Sequence, residues 1–142
     1  MEMHGNTQVL AVESRTIILV AEDHRESREA LRVLFEAFGY QVVEAANGRD
    51  AVAVALQTRP NLILMDVMMP EMDGCEATRT LRQMAETENI PIIAVTAIDS
   101  NHDMLAAGAD DYVRKPVDLR HLIGLVSRWM AHEATERGRS HP

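Results

Sequence analysis

Short runs of apolar, mostly β-branched residues recur along the chain from residue 16 onward. They lie at 17–21, 41–45, 62–66 and 92–96, with a shorter one near 111–114. Continuous apolar runs of this length are typical of strands buried on both faces of a parallel sheet. The segments between them carry apolar residues at helical spacing. The pattern therefore predicts an α/β fold, in which five strands alternate with five helices that cover both faces of the sheet.

The helical segments differ in how clearly they show a buried face. In the first, one face carries Leu31, Leu34, Phe35 and Phe38. Gly39 predicts the end of that helix, and Asp118 predicts the N-cap of the last one. The stripe of the last helix consists of Leu119, Leu122, Ile123, Val126, Trp129 and Met130. The segment 74–85 is expected to bury Ala77, Thr78, Leu81, Met84 and Ala85, whereas 47–57 shows no single face and 99–107 is weakly helical.

The length of the chain allows one folded domain with one core. We expect this domain at 15–131 of the 142 residues, between flexible tails at 1–14 and 132–142. No apolar run is long enough for a membrane span, and no secretory signal is evident at the start. Cys75 has no second cysteine to pair with, which fits a reducing, cytoplasmic location.

Charge argues against direct contact with nucleic acid. The chain has 22 acidic and 14 basic residues, which gives a net charge of −8. The basic residues are scattered along the sequence, so no cationic face for a phosphate backbone is predicted.

Polar residues follow the ends of four of the predicted strands. Asp66 closes the third run, Glu22 and Asp23 follow the first, Thr96 ends the fourth, and Lys115 follows the fifth. Because parallel strands place all their carboxyl ends at one edge of the sheet, these side chains are predicted to share one site. A carboxylate buried there needs a cation, a proton or a metal beside it.

The three carboxylates predict a site for a hard divalent cation. Glu22, Asp23 and Asp66 would repel one another without a cation, and oxygen ligands alone favour Mg²⁺. Considered alone, Glu22 and Asp23 would instead form a polar turn in which Asp23 caps the following helix. Asp66 beside them favours the metal site.

A metal that keeps open positions suits a phosphoryl substrate, and the other polar residues fit that chemistry. Lys115 supplies a positive charge and Thr96 a hydroxyl, which together neutralise a phosphoryl group while a carboxylate attacks it in line. Asp66 is then the candidate nucleophile and would form an aspartyl phosphate. Taken separately, Lys115 would suit a surface ion pair and Thr96 an ordinary strand position.

Four ordered segments resemble the receiver domain of two-component response regulators, of which the chemotaxis regulator is a single-domain example. They are Ile-Ile-Leu-Val-Ala-Glu-Asp at 17–23, Leu-Ile-Leu-Met-Asp-Val-Met-Met-Pro-Glu-Met-Asp-Gly at 62–74, Pro-Ile-Ile-Ala-Val-Thr-Ala at 91–97 and Gly-Ala-Asp-Asp-Tyr-Val-Arg-Lys-Pro at 108–116. The resemblance covers residues 16–131. It implies a flavodoxin-like, doubly wound (βα)5 sandwich with a five-stranded parallel sheet in the order 2-1-3-4-5.

The resemblance also implies roles for the site residues. Asp66 would accept a phosphoryl group from a histidine kinase or a histidine phosphotransfer protein, and the domain would catalyse this transfer and its own slow dephosphorylation. Mg²⁺ would be held by Asp23, Asp66 and the backbone carbonyl of Met68, and by Glu22 through water. Lys115 would pair with Asp66 and the phosphoryl oxygens.

The signal would then pass from the site to a surface. Thr96 would move toward the phosphoryl group, Tyr112 would change rotamer, and Pro116 would follow a cis peptide bond. Helix 4, strand 5 and helix 5 would form the surface that controls a downstream protein, in a monomer or in a weak dimer through helices 4 and 5.

Met68 and Ile98 lie two residues beyond Asp66 and Thr96, where family members with polar groups tend to position a hydrolytic water. Two apolar side chains there predict a long-lived phosphoryl group.

Two other functions use parts of the same pattern. An aspartate-nucleophile phosphohydrolase would place a second Asp two residues after Asp66, where this chain has Met68. A flavodoxin-like flavin binder would need a phosphate-binding loop after the first strand, and the acidic pair Glu22 and Asp23 would repel that cofactor.

Overall fold

The computed structural model describes residues 16–97 and 101–139, in which five strands alternate with five helices. The strands are β1 (Ile17–Ala21), β2 (Gln41–Ala45), β3 (Leu62–Asp66), β4 (Ile92–Thr96) and β5 (Asp111–Arg114). The helices are α1 (Arg25–Ala37), α2 (Gly48–Thr58), α3 (Gly74–Arg82), α4 (Asn101–Ala107) and α5 (Leu119–Arg139). All strand pairs are parallel and the order is β2-β1-β3-β4-β5, which confirms the predicted fold.

The sheet has a hydrophobic core on each face, because successive side chains of a strand point to opposite sides. Leu62 and Leu64 belong to the core under α1 and α5, together with Phe35 and Leu122. Ile63, on the other face, packs in the core under α2, α3 and α4. Every residue of β3 and β4 is buried, which explains why the sequence of these strands reads as a continuous apolar run.

The register of the central strands sets the position of the site. Ala21, the last residue of β1, pairs with Met65, so the residue after β1 lies level with Asp66 at the end of β3. The chain leaves β1 for β2 on one side, whereas β3 lies on the other side of β1. This reversal of strand order opens a crevice at the carboxyl ends of the strands, where ligands of doubly wound folds bind.

The helix ends agree with the sequence in some places and differ in others. Gly39 follows α1 with a φ of +94°, and the side chain of Asp118 accepts hydrogen bonds from the amides of Arg120 and His121 at the start of α5. The end of α3 was predicted three residues too late. The Thr87 hydroxyl donates a 2.7 Å hydrogen bond to the carbonyl of Leu81, and this bond belongs to the turns that follow the helix.

The last helix is longer than the apolar stripe in its sequence. Helix α5 continues to Arg139, through eight residues that were predicted to form part of a tail beyond 131. Ala, Glu and Arg in that segment favour helix, which explains the extension. The predicted tail at 1–14 and the last residues, 140–142, lie outside the described residues. Among the described helices, none combines the length and apolarity needed to cross a membrane.

Arg82, at the end of α3, ties several elements together, and the sequence pattern gave no sign of it. Its guanidinium donates hydrogen bonds to the carbonyls of Gly108, Glu88 and Ile90, at 2.9, 3.1 and 2.7 Å. It also donates to a carboxylate oxygen of Asp110 at 2.7 Å, and the same oxygen accepts from the amide of Ile92 at the start of β4. One side chain therefore joins α3 to the segments on both sides of β4 and to the end of α4.

We predict that Arg82→Ala lowers the free energy of unfolding by about 2–3 kcal/mol, because several acceptors of a charged donor lose their partner. Urea denaturation followed by far-UV circular dichroism measures the change. Arg79→Ala is the matched control, since Arg79 is an exposed arginine in the last turn of the same helix, and its effect should stay below about 0.5 kcal/mol. Equal losses in the two variants would show that the Arg82 contacts add nothing.

Candidate functional site

Asp66 and Lys115 form the centre of the site. The ammonium Nζ of Lys115 lies 3.2 Å from Oδ2 of Asp66 and 3.8 Å from Oε1 of Glu22. The two carboxylates are almost completely buried, with 3% and 4% of their side chains exposed, whereas the lysine is 34% exposed. The structure therefore brings together residues that are 44 and 49 positions apart in the sequence.

The electrostatics of this centre favour a neutral carboxyl or an added cation. Burial, the largest cause, and then the charge of Glu22 raise the pKa of Asp66 to about 6, although Lys115 opposes both effects. A single lysine thus offsets only part of the cost of two buried carboxylates. A divalent cation near them would remove the remaining repulsion.

Glu22, Asp23 and His24 form a cluster at the turn after β1, with one donor atom of each within 4.8 Å of the others. His24 Nδ1 lies 3.2 Å from Glu22 Oε2 and 3.4 Å from Asp23 Oδ1. The histidine is 75% exposed and borders the acids from the solvent side, so the cluster is not made of oxygen alone as the sequence suggested.

One observation indicates that the carboxylate oxygens of this cluster suit a hard cation. Asp23 Oδ1 is buried and accepts no hydrogen bond from any described residue. An unsatisfied carboxylate oxygen inside a protein is costly, and a metal ion is one partner that would satisfy it. Asp23 does not cap α1, because the N-cap position is His24 and no side chain caps that helix.

The loop after Asp66 approaches α3 very closely. A Cβ atom at Gly74 would lie 2.2 Å from the carbonyl oxygen of Asp66, so only glycine fits there. The amide of Gly74 donates to the carbonyl of Val67 at 2.9 Å, and the side chain of Asp73 caps α3 by accepting from the amide of Glu76. These contacts hold the loop from which the exposed Met68 projects.

Thr96 and Lys115 are joined through the backbone. Thr96 is fully buried at the end of β4, and its carbonyl accepts a 2.7 Å hydrogen bond from the amide of Lys115. The peptide bond between Lys115 and Pro116 is cis. Tyr112, one strand further out, pairs with Ala94 of β4 in register and packs half-buried against the core under α2, α3 and α4.

The predicted residues at the strand ends therefore lie along one edge of the sheet, and Lys115 bridges two of the three carboxylates. Ile98 lies outside the described residues. Asp73 and Gly74 form the turn into α3, which an Asp-Gly pair before an apolar face indicates in the sequence. Sequence reasoning missed Arg28, whose guanidinium donates to the carbonyl of Glu22 at 2.8 Å. Periodicity carries no signal for such a contact.

Known proteins are similar to this chain in sequence and in fold. Residues 18–127 match the response regulator receiver domain family. The chain is 40% identical over 117 residues to protein PilH of Pseudomonas aeruginosa, which covers 80% of this chain and 97% of PilH. It is 34% identical over 116 residues to the polar-differentiation response regulator DivK of Brucella anthropi, covering 80% and 94% of the two chains.

Solved structures agree with these relatives. The receiver domain of the sensor histidine kinase PA1611 from Pseudomonas aeruginosa, with a magnesium ion coordinated in its active site cleft, matches with a TM-score of 0.78. The identity is 33%, over 83% of this chain and 99% of that one. The family model, DivK and the PA1611 domain are described as response regulators or receiver domains, which lends no support to the phosphohydrolase alternative. The chain belongs to the response regulator receiver domain family of two-component signalling proteins.

Proposed function

We propose that Asp66 accepts a phosphoryl group from a histidine kinase or a histidine phosphotransfer protein. A carboxylate oxygen of Asp66 attacks phosphorus in line, an O–P bond forms, the N–P bond of the phosphohistidine breaks, and the leaving imidazole takes up a proton. The observation that carries the proposal is the position of Lys115 Nζ, 3.2 Å from Asp66 Oδ2 in a cleft at the carboxyl ends of the strands.

The side chains around Asp66 have separate roles in this reaction. Lys115 pairs with Asp66 in the resting protein and with phosphoryl oxygens afterwards, because an ammonium can move to the added charge. Mg²⁺, which the PA1611 receiver domain binds in its cleft, would neutralise phosphoryl oxygens when bound. We assign it to Asp23, Asp66 and the Met68 carbonyl, with Glu22 acting through water. The buried Oδ1 of Asp23, which accepts no hydrogen bond from a described residue and has His24 Nδ1 at 3.4 Å, supports this set.

Thr96 and Tyr112 are proposed to carry the change outward. Thr96 would shift toward the phosphoryl group, and the half-buried Tyr112 of β5 would take up the space it leaves. The affected surface then consists of α4, β5 and α5, where a downstream protein or a second copy would bind. Signalling by population shift needs an element with two arrangements, and α4 is the shortest described helix.

Met68 and Ile98 are proposed to prolong the phosphorylated state. Met68 lies in the loop that follows Asp66, and 68% of it is exposed. An apolar group cannot orient a water for attack on phosphorus. The same positions in a protein with polar side chains would hold such a water.

The assignment of Asp66 is tested with acetyl phosphate and Mg²⁺, followed by mass spectrometry of the intact protein. We expect the natural protein to gain one phosphoryl group and Asp66→Ala to gain none, because Asp66 is the described carboxylate that has the ammonium of Lys115 at hydrogen-bond distance. Asp50→Ala is the control, since Asp50 is an exposed carboxylate in the first turn of α2, and it should be phosphorylated like the natural protein. A phosphoryl group retained by Asp66→Ala would refute the assignment.

The same incubation separates a switch from a hydrolase. A receiver accumulates phosphoprotein and consumes little acetyl phosphate, whereas a phosphohydrolase would release inorganic phosphate with continuous turnover.

The raised pKa of Asp66 predicts a pH-dependent stability in metal-free buffer. The ordinary value is about 3.9 and the folded value is about 6, so between them the folded state binds more protons than the unfolded state. Stability therefore falls as the pH rises through this window. Asp66→Asn removes the penalty and should be more stable at pH 8 by about 3 kcal/mol. Urea denaturation with EDTA present should show this gain fading toward pH 4; a gain that grows at low pH would contradict the argument.

The apolar pair Met68 and Ile98 predicts a long lifetime for the phosphoryl group. We expect the isolated phosphoprotein to persist well beyond minutes after acetyl phosphate is removed, as followed by mass spectrometry. Met68→Asn should shorten this lifetime severalfold, because the amide can orient a water, whereas Met68→Leu should leave it unchanged. A lifetime of minutes or less in the natural protein would refute the proposed role of the apolar pair.

A further inference from the structure

Both backbone groups of Glu22 are held by hydrogen bonds, although the residue lies beyond the end of β1. Its amide donates to the carbonyl of Ala45 at 3.0 Å, which extends the contact between the first two strands by one residue. Its carbonyl accepts a 2.8 Å hydrogen bond from Nη1 of Arg28, one turn into α1. A turn that follows a strand would otherwise present this carbonyl to water.

The carbonyl of Glu22 belongs to the same rigid peptide plane as the amide of Asp23. The Arg28 contact therefore fixes the backbone from which the side chain of Asp23 starts. It also limits the rotation of Glu22, whose amide is held from the other side. The directions of two acidic side chains in the cleft thus depend on one guanidinium.

Arg28 is itself held in place by β2. Its Nε donates to Glu44 Oε1 at 2.9 Å, and its side chain is only 17% exposed. The second oxygen of Glu44 lies 3.0 Å from Nε of Arg32. Because Glu44 precedes Ala45 in the same strand, both hydrogen bonds to Glu22 lead back to the same stretch of β2.

We propose that Arg28 is a positioning residue that pre-organises Glu22 and Asp23 for a divalent cation, with Glu44 as its anchor. The inference rests on the proposed function, since it concerns the same metal site. Partners of metal-binding residues commonly change metal affinity without touching the metal, because they set the orientation of its ligands. At Glu22, Arg28 contacts the backbone carbonyl and not the side-chain carboxylate, so its charge is not paired directly with the proposed metal ligands.

Two effects of removing Arg28 have opposite signs, which makes the proposal testable. Loss of a nearby positive charge would strengthen the binding of a cation. Loss of the hydrogen bond to Glu22 would weaken cation binding, because the turn would then have to become ordered when the cation binds. Arg32 separates the two effects: it has the same carboxylate partner in Glu44, and its other described ion pairs are with Glu29 and Glu36.

The experiment measures the dissociation constant of Mg²⁺ by isothermal titration calorimetry in the natural protein and in four variants. We expect Arg28→Ala to weaken binding about tenfold, and Arg32→Ala to leave it unchanged or slightly tighter. Glu44→Gln should weaken it less than Arg28→Ala, since the amide oxygen still accepts from Arg28. Arg28→Lys should restore only part of the affinity, because one ammonium cannot bond both Glu22 and Glu44 in the geometry of a guanidinium.

A second readout separates positioning from damage to the fold. At saturating Mg²⁺, the rate of phosphorylation of Arg28→Ala by acetyl phosphate should return toward that of the natural protein. The Mg²⁺ concentration that gives half of the maximal rate should be higher in the variant. Circular dichroism checks that each variant is folded. If Arg28→Ala does not fold, the Mg²⁺ affinities of Arg28→Lys and Glu44→Gln are compared with that of Arg32→Ala instead.

The outcomes distinguish this inference from the proposed function. If the natural protein does not bind Mg²⁺, the metal site itself is refuted. If it binds Mg²⁺ and the Arg28 and Glu44 variants bind as tightly as Arg32→Ala, the positioning role is refuted and the metal site stands. Tighter binding by Arg28→Ala would show that charge alone governs the effect, which also overturns the inference.

Discussion

The structure depends on one costly arrangement: two buried carboxylates, Asp66 and Glu22, share a single ammonium. Burying an ionised carboxylate is expensive unless an opposite charge and hydrogen bonds meet it. Lys115 approaches both acids, yet the pKa of Asp66 remains raised to about 6. The site is therefore electrostatically unsatisfied in the resting protein. The site lacks positive charge, so a divalent cation, alone or together with a phosphoryl group, is stabilised when it binds there.

The fold brings these charges together by strand order rather than by sequence proximity. Since β1 and β3 are neighbours in register, the residue after β1 lies level with Asp66. The carbonyl of Thr96 holds the amide of Lys115, so the ammonium starts from a fixed point at the end of β4. Because Gly74 has no Cβ atom, the start of α3 can approach the carbonyl of Asp66 closely. The chemistry of the site thus depends on backbone contacts as well as on its reactive side chains.

A receiver must hold an unstable arrangement and still keep its fold. The two hydrophobic cores stabilise the sheet from both faces, and Arg82 ties α3 to β4 and to the end of α4. These contacts lie away from the cleft, so the carboxylates can remain poorly satisfied without loss of the fold. Such a division between a stable scaffold and a strained site is common, because activity often requires groups that burial would otherwise eliminate. The turn at Glu22 joins the two parts, since Arg28 connects it to β2.

The sequence by itself determined the strands, the parallel sheet and the polar residues at the strand ends. Burial on two faces leaves continuous apolar runs such as 62–66, and parallel direction places the residues that follow the strands at one edge. The tertiary structure alone decided how closely these side chains approach one another and which other residues support them. The approach of Lys115 to Asp66 spans 49 residues, that of Arg82 to Asp110 spans 28, and that of Arg28 to Glu44 spans 16. Periodicity reports which face of an element is buried, whereas the reach of a long polar side chain depends on how the elements pack. For the same reason the contact of His24 with the acids, the early end of α3 and the extension of α5 were not evident until the elements were placed in space.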